Sequence, residues 1–159
     1  MRLIKLAAIS VAVLFVVITL IGLLFPSKVI VSRVVDILQP VDSVYSLTKD
    51  LYGWQKWVKS MQNQPVLSAT KSKIGNSTIA IIAASSSKIS GKWIEKNGDE
   101  QTFAINIIAN QNNSIVNWQF EQDVKWYPWA RLGSMVNEKV IGAMMEENLA
   151  SLKKVSEEE

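Results

Sequence analysis

Apolar and polar residues follow several different rhythms along this chain, and each rhythm predicts a different element. From Leu6 to Phe25 twenty residues pass without a charge, and fourteen of them are Leu, Ile, Val or Phe. As a helix rising about 1.5 Å per residue, that run reaches about 30 Å, the thickness of a bilayer's hydrocarbon core. Lys28 to Leu38 then alternates, with Val29, Val31, Val35 and Ile37 on one face and Ser32 and Asp36 on the other, as expected of a strand with one buried side. Pro40 ends the strand and, with Asp42 in the first turn, predicts a helix over Pro40 to Asp50. Gly53 breaks that pattern, and Trp54, Trp57, Val58 and Met61 define the apolar side of a second short helix.

From Val66 to Asp123 no helical period is visible. Short β-prone runs at Val66 to Lys71, Thr78 to Ala84, Ile89 to Lys96, Gln101 to Ala109 and Ser114 to Asp123 are separated by turn clusters such as Gly75-Asn76 and Asn97-Gly98-Asp99. Connections this short force antiparallel hairpins. After Pro128 the helical period returns, because Ile141, Met145, Leu149 and Leu152 stand four, four and three apart, flanked by Val136, Val140 and Met144. They predict a long helix from about Ser134 to Val155. The fold class is therefore α+β: an antiparallel sheet of roughly six strands curled around a long C-terminal helix, with two short helices after the first strand. We divide the chain into an N-terminal membrane anchor over residues 1–27, a globular domain over 28–156 and an acidic tail over 157–159.

Composition narrows the chemistry. The chain has neither cysteine nor histidine, which excludes disulfides, thiolate or imidazole metal sites, a Cys nucleophile and a Ser-His-Asp triad. Arg2 and Lys5 account for two of 17 basic residues, so the rest of the chain sets 15 against 14 acids. That balance, with lysines scattered rather than clustered, argues against nucleic acid as a partner. The apolar run is expected to insert with about 4 to 8 kcal/mol in its favour. A cleaved signal peptide would end its apolar core at a small-x-small site, whereas this run continues through Leu23-Leu24-Phe25-Pro26. Arg2 and Lys5 place the N-terminus in the cytoplasm and the domain on the extracytoplasmic side, periplasmic in a bacterium.

Three stretches resemble the START-like helix-grip superfamily (SRPBCC), in particular its polyketide cyclase/dehydrase-like branch in a membrane-tethered bacterial version. Val31-Ser32-Arg33-Val34-Val35-Asp36-Ile37-Leu38-Gln39-Pro40-Val41-Asp42-Ser43-Val44-Tyr45 is similar to the family's opening strand, turn and helix entry. Asp50-Leu51-Tyr52-Gly53-Trp54-Gln55-Lys56-Trp57 resembles its Asp-Leu, Trp-x-x-Trp segment, and the run from Gly142 to Lys153 its closing helix. The resemblance covers about residues 28 to 155, over a β region shorter than many members have. It implies a cavity between sheet and terminal helix that takes an apolar small molecule or lipid. No catalytic motif carries over residue by residue, and no cofactor is implied.

The candidate ligand-binding residues are Trp54, Trp57, Trp126, Trp129, Arg131, Met144 and Met145, with Met135 as a further pliable wall residue. Trp54 and Trp57 either flank a pocket entrance or pack the core. The Trp126-Tyr127-Pro128-Trp129 cluster is a lid, a plug at the barrel end or a contact with lipid headgroups. Arg131 either clamps an anionic headgroup or is paired elsewhere. Asp36, Asp42, Asp50, Glu121 and Asp123 are candidate acids, but Asp42 and Asp50 suit helix ends and the others outward strand positions. The leading expectation is a membrane-anchored, non-enzymatic domain that holds a hydrophobic guest. The alternatives are an envelope interaction module with a filled interior and, less favoured, a cyclase or dehydratase.

Overall fold

The structure is a computed structural model that describes residues 2–24, 27–125 and 127–158, with the side chains of Leu23, Pro128, Leu132 and Met135 left out of the description. The first helix, α1 (Arg2–Leu23), is apolar on all sides, and its spanning window has no share buried against the rest of the protein. It is long and apolar enough to cross a membrane. Its one hydroxyl in the second half is satisfied internally, since Thr19 Oγ1 donates to Phe15 O at 2.7 Å.

Six strands follow: β1 (Lys28–Ile37), β2 (Lys71–Ile74), β3 (Ser77–Ser85), β4 (Lys88–Ile94), β5 (Glu100–Asn110) and β6 (Asn113–Asp123). They form one antiparallel sheet in the order β1-β6-β5-β4-β3-β2. The predicted alternation in β1 holds, with Val31 and Ile37 buried and Ser32 and Asp36 exposed. Its inner row also carries Arg33, whose Nε donates to Glu146 Oε1 at 2.5 Å on the C-terminal helix.

Between β1 and β2 lie α2 (Val41–Thr48), α3 (Leu51–Trp57) and a 3-10 turn (Lys59–Met61). Asp50 caps α3 by accepting from Gly53 N at 2.8 Å. Gly53 lies inside α3 rather than ending a pattern. It is the point where α3 crosses α2, since a Cβ there would stand 2.5 Å from Leu47 O. Trp54 Nε1 donates to Thr48 O at 2.7 Å and Trp57 Nε1 to Leu47 O at 3.0 Å, so two indoles satisfy carbonyls at the end of α2.

The first β run of the second half forms later than expected, at Lys71–Ile74 rather than Val66 to Lys71. The residues before Thr70 are committed elsewhere: Ala69 O accepts from Leu51 N at the start of α3, and Ser68 closes a turn onto Lys71. The final helix α4 (Pro128–Glu158) begins earlier than the apolar period indicated. Proline suits a first helical turn. Val136 and Val140, which flank the predicted stripe, are exposed, so no inward pattern announces the first turns. Farther along, Met145, Leu149 and Leu152 are buried as expected, and Asn148 Oδ1 accepts from Lys59 N at 3.0 Å.

α4 packs on β1, where Lys153 Nζ donates to Asp36 O and Glu157 Oε1 accepts from Leu38 N, both at 2.9 Å. The half of the sheet's inner face beneath α2 and α3 is solidly filled. Trp54 lies 5.2 Å from Trp57, 5.4 Å from Phe103 and 5.9 Å from Trp118, centroid to centroid.

Replacing Gly53 by alanine tests the helix crossing. Inside an ordinary helix the change would gain about 1 kcal/mol. Here the clash with the Leu47 backbone is expected to cost about 1 to 3 kcal/mol more than that gain. Urea unfolding reads the sign, and a midpoint at or above that of the parent chain would refute the close approach.

Candidate functional site

Past the aromatic core, toward the strand ends nearest α1, α4 lies over the inner face of β4, β5 and β6. Register explains what lies there. Val29 pairs with Gln122, Gln122 with Gln101, and Gln101 with Trp93, forming one inward row across four strands. The next row inward holds Val31, Phe120 and Phe103. Opposite these rows α4 presents Asn137, Val140, Ile141 and Met144, and between the two surfaces runs a groove of about 230 Å³. That is several times the ~30 Å³ of one water in the liquid. It falls below the ~300 Å³ at which pockets begin to enclose a drug-sized ligand.

The groove has an apolar body and a polar end. Trp93 and Phe120 meet edge to face at 5.9 Å, and Val140, Ile141 and Met144 face them. At the end, Gln101 is buried and its Nε2 donates to Glu95 Oε1 at 3.1 Å. Asn137 also lines a second, more polar concavity of about 240 Å³ walled by Asp99, Gln122, Asp123 and Lys125. There the hydrogen bond from Lys125 Nζ to Asp99 holds the amine above the ordinary lysine range, with the charge of Asp99 adding to it. Lys28 is raised likewise by its hydrogen bond and charge contact with Glu121, and by Asp123. Both stay ammonium and neither is poised as a base. Among the described residues no three carboxylates gather to hold a metal ion.

No family model and no curated protein matches the sequence. Solved structures do match. A START superfamily protein from Mycobacterium smegmatis superposes with a TM-score of 0.63 at 17% identity, over 81% of this chain and 97% of that one. DynU16, a protein of the dynemicin biosynthetic locus, gives 0.60 at 12% identity over 80% of this chain, which spans only 47% of DynU16. CalU16 from Micromonospora echinospora gives 0.57 at 12% identity, over 79% of this chain and 80% of that one. The chain has a START-like helix-grip fold. At these identities the likeness concerns the fold alone.

Within the helix grip, the residues singled out from sequence do not converge on one place. Met144 lines the groove. Met145, Trp54 and Trp57 are fully buried beside or behind it, in the packed interior. Trp129 is 63% exposed and stacks on Tyr127 with centroids 4.9 Å apart. Arg131 is buried, and its Nη1 donates to Gly22 O of α1 at 2.7 Å. Trp126 and the Met135 side chain lie outside the described residues. Among the candidate acids, Asp50 caps α3, Glu121 and Asp123 pair with Lys28, and Asp36 and Asp42 are exposed.

The groove's own residues were mostly passed over. Trp93, Glu95 and Gln101 belong to two runs joined by the Asn97-Gly98-Asp99 turn, but nothing local brings Phe120 to them. Only the strand pairing does so.

The division between core and groove wall is measurable. Trp54→Ala is expected to lower unfolding stability by about 3 to 5 kcal/mol. Met144→Ala, at a half-buried groove position, should cost roughly 1 kcal/mol. Equal losses in chemical denaturation would mean that Met144 belongs to the packed core.

Proposed function

We propose that this protein is a membrane-anchored, non-enzymatic helix-grip domain that holds the apolar part of an amphiphilic small molecule or lipid between its sheet and α4. The observation that carries the reading is the groove itself: aromatic and aliphatic walls from Trp93, Phe120, Val140, Ile141 and Met144, closed at one end by Glu95 and Gln101. Convergent polar groups at the end of an apolar concavity orient a guest by its head. A carboxylate with a buried amide beside it favours a hydroxyl or amine head, because both donate hydrogen bonds. The modest volume favours a single acyl or isoprenoid segment over a whole two-chain lipid.

Anchoring is assigned to α1, with Arg2 and Lys5 on the cytoplasmic side and the domain outside. A reaction is the weaker alternative. Glu95 is the carboxylate at the apolar groove, and it is engaged by Gln101 rather than by a second acid or a base.

Native mass spectrometry of the chain released from membranes, together with uptake of a fluorescent single-chain amphiphile, tests the proposal. Ile141→Trp should fill the groove and weaken uptake about tenfold, equivalent to about 1.4 kcal/mol. Absence of any co-purifying guest, with no uptake by the parent chain, would refute it.

A further inference from the structure

The groove lies at one particular end of the domain. Its outer row begins with Val29, the second residue of β1 and only a few residues beyond the end of α1. The next row begins with Val31, about 10 Å along the strand from Lys28 at the usual rise. The filled aromatic core lies toward the opposite strand ends, where α2 and α3 pack.

The same end of the domain is fastened to α1. The carbonyl of Gly22 belongs to the last turn of the helix, and the residue four positions on is Pro26, which has no N–H to give it. Arg131 supplies a donor there, placing a cation at the negative end of the helix dipole. A second link follows, since Val124 N donates to Ser27 O at 2.8 Å at the start of β1. The beginning of α4 is thus held against the end of α1.

Those first turns of α4 carry an apolar strip. Trp129 is 63% exposed, and Val136 and Val140 are 64% exposed each. With exposed Gly133 between them they follow spacings of four, three and four, one face of a helix. Tyr127 stacks on Trp129 at the head of the strip, and Val140 at its other end is also a wall of the groove. The strip therefore leads from the end of the anchor toward the groove. An aromatic pair at its start suits the headgroup level, where ring and polar edge meet different media.

From this arrangement we infer that the first three turns of α4 lie on the headgroup layer of the membrane that α1 spans, so that the groove opens onto that layer and exchanges its guest with the bilayer. The inference rests on the anchored, groove-binding reading above and adds where the guest comes from.

The absence of cysteine makes the test clean, because one introduced thiol is the only one to label. Full-length chains carrying V13C, V136C, V140C or S86C, each bearing an environment-sensitive fluorophore, are reconstituted into phosphatidylcholine vesicles with a minor fraction of phosphatidylglycerol. Nitroxides on lipid headgroups or acyl chains then report depth. Ser86, in the β3–β4 turn at the far end of the sheet, serves as the water-exposed reference. The expected result is acyl-chain quenching at 13 and headgroup quenching at 136 and 140 at least about twofold above that at 86. Quenching at 13 with 136 and 140 indistinguishable from 86 would overturn the inference, leave the strip to a protein partner and leave the groove reading intact. No quenching at 13 would remove the anchor and the inference together, a result separate from the uptake experiment on the groove.

Discussion

Covering the inner face of the sheet is the constraint on which the rest of this structure depends. Strands of ten or eleven residues present a long inner surface, and a single helix about 10 Å across cannot shield all of it. The chain meets this demand at one end only. There α2 and α3 bring Trp54 and Trp57 down onto Phe103 and Trp118, with both indole N–H groups of the helical pair used on carbonyls of α2. The tight crossing at Gly53 is what lets the two short helices sit close enough to do this. At the other end α4 lies over Trp93, Gln101 and Phe120, and the groove is the space left between them.

The filled end also sets the position of α4. Leu149, Leu152 and Met145 lock its second half into the core, and hydrogen bonds with Asp36 O and Leu38 N fix it to the edge strand. Gly142 lets the helix pass over Arg33, whose guanidinium would collide with a side chain there. The exposed ion pairs along this seam are worth about 0 to 1 kcal/mol each. The seam therefore holds by packing, and the pairs fix its register. With its second half held, α4 projects past the core with its first turns free of the sheet's filled half, which is why Trp129, Val136 and Val140 remain uncovered.

Much of this was legible in the residues because it is local. Alternation in β1, the turn clusters between the later strands, the Trp-x-x-Trp spacing and the 141-145-149-152 stripe each depend on a few neighbouring positions, and each lies where expected. The misplacements have one cause, which is competition from distant partners. Val66 to Lys71 reads as a strand, but Ala69 O is taken by Leu51 N at the start of α3 and pairing with β3 begins only at Thr70, and the first turns of α4 lack an inward stripe because they cover nothing apolar on their exposed side. The groove was the least legible feature of all. Gln101 opens β5 and Glu95 follows β4, polar positions at the ends of two β runs, and what sets them beside each other is the pairing of Trp93 with Gln101. Arg131 stands out in the sequence for its charge, yet its Nη1 donates to the backbone carbonyl of Gly22, a relation 109 residues apart in the chain.

If the groove opens onto a bilayer, its selectivity cannot come from its apolar walls. Each methylene moved from water into the groove gains about 0.8 kcal/mol, but a guest already dissolved among lipid tails has collected that gain before it arrives. Trp93, Phe120 and Met144 then make entry costless rather than favourable. What distinguishes one guest from the surrounding lipid is then the polar end, where the half-buried Glu95 carboxylate, hydrogen-bonded by the buried Gln101 amide, offers an acceptor. An amphiphile that offers a donor there adds a hydrogen bond to the one from Gln101, and one that offers nothing covers the half-buried carboxylate without replacing the water it displaces. Discrimination by the head suits a groove too small to enclose a whole lipid, since one apolar segment fills it while the rest of the molecule can stay in the bilayer.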